Sequence, residues 1–116
     1  MLPLSRCKLL FICARNKIRS LTAERMLHGS TLYEVRSRGV ARGARVRLTA
    51  GDLGWADRIF VMEKQHKDRI RAEFADALGG KPIECLFIPD DYQLMEPRLL
   101  AVLRERLLPH LDLPDP

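Results

Sequence analysis

The segment Cys13-Ala14-Arg15-Asn16-Lys17-Ile18-Arg19-Ser20 sets a thiol and a guanidinium six positions apart. A loop of that length can curl until its backbone N–H groups point inward at a phosphate, and a helix starting behind it adds partial positive charge. Arg19 supplies a planar fork that pairs with two phosphate oxygens, which the point charge of a lysine does less well. The same inward donors stabilise negative charge on sulfur, and the thiolate is the form in which cysteine attacks. Ser20 can donate its hydroxyl to that sulfur and help it leave. Cys13 is the candidate nucleophile of a phosphoryl transfer, with Ala14, Arg15, Asn16, Lys17, Ile18, Arg19 and Ser20 as the phosphate-binding loop. Such a displacement relies on positioning and charge stabilisation, so no cofactor is expected.

The loop needs a strand before it and a helix after it. Lys8 to Cys13 is a short apolar run that reads as a strand, and Leu21, Met26 and Leu27 follow at helical spacing until Gly29. Thr31 to Arg36 offers a second strand, and Gly39 to Gly43 a break. Leu48 to Leu53 reads as a capped turn into a short helix, and Arg58 to Met62 as a third, buried strand. Between Glu63 and Leu78 the residues Ile70, Phe74, Ala77 and Leu78 recur at helical intervals, and Gly79-Gly80 stops that helix. Cys85 to Ile88 is expected as the fourth strand, Pro89 to Tyr92 as a loop, and Pro97 to Leu107 as a closing helix. Alternating strands and helices predict an α/β three-layer sandwich, a four-stranded parallel sheet with helices on both faces. Ligands of such sheets bind beyond the carboxyl ends of the strands, where the loops after the first and fourth strands both open.

At 116 residues the chain has the length of one domain, expected over residues 1–116. Its 47% hydrophobic and 30% charged residues exclude a disordered or fibrous chain. The apolar run Leu9 to Ala14 is far short of the roughly 20 residues of a membrane span, and charged residues follow it where a secretory signal needs a cleavage site. No membrane contact is expected, and the location expected is the cytoplasm. Cys7, Cys13 and Cys85 lack the pairing of a disulfide scaffold or zinc site, and Cys7 and Cys85 read as small core residues. His28, His66 and His110 fall on separate helices without ligand spacing, so no metal is expected. The net charge of +5 concentrates at Arg36, Arg38, Arg42, Arg45 and Arg47, which suits either an anionic partner or a solvated face. Nothing in the sequence specifies an oligomeric state.

Over nearly its whole length the chain resembles the low-molecular-weight protein tyrosine phosphatase family. The resemblance rests on the Cys13 to Ser20 loop with Asn16 inside it, and on Ala44-Arg45 leading to Leu48-Thr49 and Asp52-Leu53. It continues through Ala56-Asp57-Arg58-Ile59-Phe60-Val61-Met62-Glu63 to the acidic loop Asp90-Asp91-Tyr92. It implies that Cys13 forms a phosphocysteine, that Arg19 clamps the phosphate, and that Asn16 braces the loop. It makes Asp90 the general acid, the residue that protonates the leaving oxygen and then takes a proton from water. Asp91 stands where the family has proline, and is the next candidate. Tyr92 is the candidate wall of the substrate pocket.

The chain departs from the family at four further places. Arg15 replaces a glycine, which predicts strain if that residue needs a positive φ. Ile18 replaces a second cysteine able to trap the nucleophile, and Leu21 replaces a proline. The stretch between the first helix and the third strand is short, and Tyr33 is its one aromatic residue, read as core. Trp55 reads as packing. The function expected is hydrolysis of a phosphorylated protein or a small phosphomonoester, phosphotyrosine by resemblance. The alternatives are a phosphate- or nucleic-acid-binding module with weak or no catalysis, which the pairing of thiol and carboxyl disfavours, and arsenate reduction, which calls for further cysteines.

Overall fold

Five consecutive buried side chains, Leu9 to Cys13, leave the first strand no polar face, so the chain must cover it on both sides. The computed structural model describes residues 5–113, and the expected domain extends beyond them at each end. Its elements run β1 (Cys7–Cys13), α1 (Arg19–Leu27), β2 (Tyr33–Gly39), α2 (Ala50–Trp55), β3 (Arg58–Val61), α3 (Lys64–Glu73), α4 (Ala75–Leu78), β4 (Ile83–Cys85) and α5 (Pro97–Leu107). The strands form one parallel sheet in the order β2-β1-β3-β4. Leu9, Phe11 and Cys13 pack on one face with Leu27 of α1 and Leu99, Leu103 and Leu107 of α5. Leu10 and Ile12 pack on the other with Leu53 of α2, Ile70 of α3 and Leu78 of α4. The expected three-layer α/β sandwich is the observed fold.

After β1 the chain first pairs β2 on one side and then crosses to pair β3 on the other. The order therefore reverses at β1, and a crevice opens beyond its carboxyl end, where Cys13 lies.

Three elements differ from the expectation. The second strand runs on to Gly39, because Arg36 and Arg38, which break the apolar pattern, are held by the buried Asp52. The helix expected from Glu63 to Leu78 breaks at Phe74, which leaves helical dihedrals (φ −130°, ψ 29°) and packs its ring on the Leu10–Ile12 side of the core. The fourth strand is Ile83 to Cys85, not Cys85 to Ile88, because Phe87 takes a left-handed φ of 53°. Leu86 and Ile88 still donate to Val61 and Met62, at 2.8 Å each. These donors are two residues apart and their acceptors one, so Phe87 is an extra residue, a bulge at the sheet edge. Arg106 Nη1 holds the bulge through the carbonyls of Leu86 and Phe87 at 2.7 and 3.0 Å.

The turn after β2 closes on the loop after β1. Val40 N donates to the Cys13 carbonyl at 3.0 Å, Ala41 N to that of Ala14 at 2.9 Å, and Arg45 N to that of Arg15 at 2.9 Å. Arg45 Nε completes the series on the Asn16 carbonyl at 3.0 Å. This approach needs Gly39, since a Cβ there would lie 2.6 Å from both Ala14 O and Ala44 Cβ. Gly39→Ala is expected to cost about 1–3 kcal/mol in urea unfolding, the usual range for forced overpacking. The same substitution should weaken binding of inorganic phosphate, read as a smaller phosphate-induced rise in Tm. An unchanged rise would show that the brace does not shape the loop.

Candidate functional site

A trans peptide is planar, so its carbonyl and the following N–H point in opposite directions. Because the carbonyls of Cys13, Ala14, Arg15 and Asn16 face the 40–45 turn, the N–H groups of Ala14, Arg15, Asn16 and Lys17 face the loop interior. Asn16 N donates to Cys13 Sγ at 3.2 Å, which places the sulfur at that interior. Helix α1 begins behind it, and its N-cap residue Ile18 supplies no side-chain cap, leaving first-turn donors available to an anion.

The loop turns on Asn16, whose φ of 58° lies in the left-handed region that asparagine tolerates better than most residues. Arg15 is not among the positive-φ residues, so the strain expected there from the absent glycine does not arise. Asn16 is fully buried and its Nδ2 donates to Ser20 Oγ at 2.8 Å, while its Oδ1 has no partner. Ser20 Oγ lies 3.0 Å from Cys13 Sγ and 3.3 Å from the Arg38 carbonyl. The hydroxyl proton can thus swing between sulfur and a backbone acceptor as charge on sulfur comes and goes.

Arg19 is 3% exposed. Its Nη1 donates to Glu63 Oε2 at 2.6 Å and to the Ile88 carbonyl at 2.8 Å, which uses both hydrogens of that nitrogen. The Nε–Nη2 edge remains, the side of a guanidinium that grips two oxygens at once. Asp90 Oδ1 stands 3.8 Å from Nε, so the acidic loop after β4 reaches the same edge. The hydrogen bond from Arg19 holds the Glu63 carboxyl below its usual range. His66 packs beneath, 2% exposed, with Nδ1 accepting the Glu63 amide at 3.1 Å and Nε2 3.8 Å from Glu63 Oε2. Burial, and secondarily Arg19, lower the His66 pKa to about 4.

Cys13, Ala14, Arg15, Lys17, Ile18, Arg19 and Asp90 line one cavity of about 100 Å³. Asn16 and Ser20 lie behind it as the buried pair that carries the loop. Tyr92 does not line it: its ring packs against the Leu9–Phe11 side of the core, with the Arg98 guanidinium 5.2 Å from its centroid. Tyr33 is buried, and its hydroxyl accepts from Asp112 N at 2.9 Å. Trp55 is half-buried, with the Arg36 guanidinium 4.1 Å from its ring centroid. Cys85 pairs with Val61, which pairs with Ile12, so it lies two strand spacings of about 4.8 Å from β1, too far for a disulfide to Cys13. Cys7 sits at the opposite end of β1, and burial pushes its thiol pKa up.

Of the arginine stretch, Arg36 and Arg38 grip Asp52, and Arg45 braces the loop. Burial pushes the Asp52 carboxyl up, and the Thr49 amide and Arg38 outweigh it, so its pKa falls below the ordinary value. Glu63 and His66 are the functional candidates that the pattern of the sequence does not single out. Their i, i+3 spacing at the end of a buried strand is the signal that would have found them. Among the described residues no three His, Cys, Asp or Glu side chains converge as a metal site, and no helix is long and apolar enough to cross a membrane.

No protein-family model matches the sequence, and comparison with curated proteins finds no match. Solved structures do match in fold. The tyrosine phosphatase Wzb from Escherichia coli K30, in complex with phosphate, aligns over 88% of this chain and 94% of its own at 20% identity, with a TM-score of 0.67. SP-PTP, a low molecular weight protein tyrosine phosphatase from Streptococcus pyogenes, aligns over 91% and 94% at 15% identity and a TM-score of 0.73. The YwlE arginine phosphatase from Geobacillus stearothermophilus aligns over 91% and 98% at 22% identity and a TM-score of 0.59. The chain shares the fold of the low-molecular-weight phosphatases.

The buried imidazole gives the protein an acid limb of stability. Unfolded, His66 takes up a proton near its ordinary 6.5; folded, it does so only near about 4. Stability should be level above about pH 6.5 and fall between 6.5 and 4, by roughly 3 kcal/mol in all. The lowered carboxyls of Glu63 and Asp52 add further loss below their ordinary range. Urea unfolding across this range should show a shallower decline in His66→Asn, and a folded-state imidazole resonance that titrates near 6.5 and is missing from His66→Asn would contradict the assignment. At the loop, Asn16→Gly and Asn16→Ala both remove the bond to Ser20, but alanine must also adopt the left-handed φ. The alanine variant should be less stable than the glycine variant by about 1 kcal/mol, and equal stabilities would mean that the turn carries no such strain.

Proposed function

We propose that this chain hydrolyses phosphomonoesters through a phosphocysteine intermediate. One observation carries the reading: a sulfur, a row of inward amides, a guanidinium edge and a carboxylate facing it meet at a single cavity of about 100 Å³. The phosphoryl group sits in the loop, its oxygens held by the amides of residues 14–17 and by the Nε–Nη2 edge of Arg19. Cys13 Sγ, as thiolate, attacks phosphorus; the S–P bond forms, the bond to the ester oxygen breaks, and Asp90 in its acid form gives that oxygen a proton. Water then attacks the phosphocysteine, passing a proton to the Asp90 carboxylate, and the S–P bond breaks. Ser20 donates to the departing sulfur, which returns as thiolate. The sum is ester plus water giving alcohol plus phosphate, with no other reactant.

The folds matched belong to tyrosine and arginine phosphatases. Phosphotyrosine, in a phosphorylated protein or as a small phosphomonoester, is accordingly the starting substrate.

The test is release of nitrophenol from p-nitrophenyl phosphate. Cys13→Ser should abolish it, and Asp90→Asn should lower kcat about 10²- to 10⁴-fold, the usual worth of acid–base help. Asp91→Asn should leave it within a few-fold. Equal turnover by wild type and Cys13→Ser would rule out the mechanism, and a larger loss in Asp91→Asn than in Asp90→Asn would transfer the acid's role to Asp91.

A further inference from the structure

Resting on the phosphatase reading, we propose that the substrates are phosphomonoesters carrying further negative charge beside the scissile phosphate, selected by the cationic mouth formed by Arg15 and Lys17.

The cavity is far smaller than the roughly 300–1,000 Å³ of pockets that enclose a ligand. It has room for the phosphoryl group, and the rest of the substrate must lie outside against the rim. Among the described residues no aromatic ring lines the cavity, and Tyr92 is half-buried against the core. A leaving group is therefore sorted there by charge and not by stacking. Arg15 and Lys17 are exposed, line the cavity directly, and have no carboxylate partner among the described residues.

Two more cations stand behind them. Arg45 spends its Nε on the Asn16 carbonyl and has no carboxylate partner among the described residues, and Arg42 lies in the turn whose Ala41 and Arg45 amides hold the loop. The contrast with Arg36 and Arg38 is informative, since those two share the Asp52 carboxylate on the far side of the same segment. Among the described residues Asp90 is the one acidic side chain lining the cavity, and Arg19 already faces it. A site lined mainly by one sign of charge raises the local concentration of opposite charge. A phosphorylated arginine, with its cationic leaving group, is disfavoured by the same rim.

The anionic neighbour can be supplied by acidic residues of a phosphopeptide or by a second phosphate on a small molecule, and two substrate pairs separate these sources. The first pair is a phosphotyrosine peptide flanked by aspartates and its serine-flanked counterpart; the second is fructose 1,6-bisphosphate and fructose 6-phosphate. kcat/KM is measured for each at low and high salt, alongside p-nitrophenyl phosphate. The anionic member of at least one pair should be favoured about tenfold at low salt. That preference should shrink toward unity at 1 M salt, where the Debye length falls from about 10 to 3 Å. It should also collapse in Arg15→Ala/Lys17→Ala, and the salt arm tests the same point in wild-type protein if that variant does not fold.

Preference in the peptide pair alone assigns a phosphoprotein, and in the sugar pair alone a small bisphosphate. Turnover of p-nitrophenyl phosphate with no preference in either pair would overturn the inference and leave the phosphatase reading standing. No turnover of anything would overturn the phosphatase reading itself.

Discussion

The outward carbonyls of residues 13 to 16 are the constraint from which the site follows. Peptide planarity ties each of them to an amide on the other side, so holding four oxygens outward aims four donors inward. Turned toward the protein without partners, those oxygens would carry a desolvation penalty of about 1–3 kcal/mol each. The turn from Val40 to Arg45 supplies the partners, three from its backbone and one from the Arg45 side chain. It can approach that closely because residue 39 lacks a side chain. The segment that reads as a charged, glycine-rich break between elements is therefore the back wall of the loop after β1.

A second constraint is the buried guanidinium. A charge this well hidden is strongly destabilising without partners. Glu63 and the Ile88 carbonyl take one nitrogen of Arg19 and leave its other edge for the cavity. Each partner is itself fixed: Glu63 through its amide to the neutral His66, and Ile88 through the bulge at Phe87 that Arg106 holds. The irregular end of the sheet is thus what orients the arginine, in keeping with the tendency of bulges to re-aim groups beside functional sites. Met95 N on Thr22 Oγ1, at 3.1 Å, ties the acidic loop that follows to α1, so Asp90 is delivered to the edge that Glu63 leaves open.

The same geometry divides the labour between depth and rim. The interior is built of backbone and buried polar groups and admits little beyond a phosphoryl group. The exposed side chains of the loop, Arg15 and Lys17, are cationic, and among the described residues no aromatic ring lines the cavity. The sulfur, the buried Asn16–Ser20 pair, Arg19 and two exposed cations lie in one eight-residue segment, braced by the 40–45 turn, Glu63 and Ile88, while Asp90 reaches it from the loop after β4.

The sequence by itself determined the periodic elements, the strand-loop-helix setting of Cys13 to Ser20, and the alternation that forces a parallel sheet with its site at the carboxyl edge. All of these are local: a period of two or near 3.6, or a spacing inside one loop, survives in the chain as written. The core role of Tyr33 was legible for the same reason, since an aromatic residue on a strand needs only a face to pack against. Tertiary structure alone decided what joins distant positions. Arg45 meets Asn16 across 29 positions, Arg19 meets Glu63 across 44 and Ile88 across 69. It also decided where local patterns yield: Asp52 pairs with two arginines and lets β2 run on, Phe74 trades a helical turn for packing, and Phe87 gives up regular pairing to aim a carbonyl. Contact energies of that kind depend on which groups the fold brings together, and a linear pattern does not encode them.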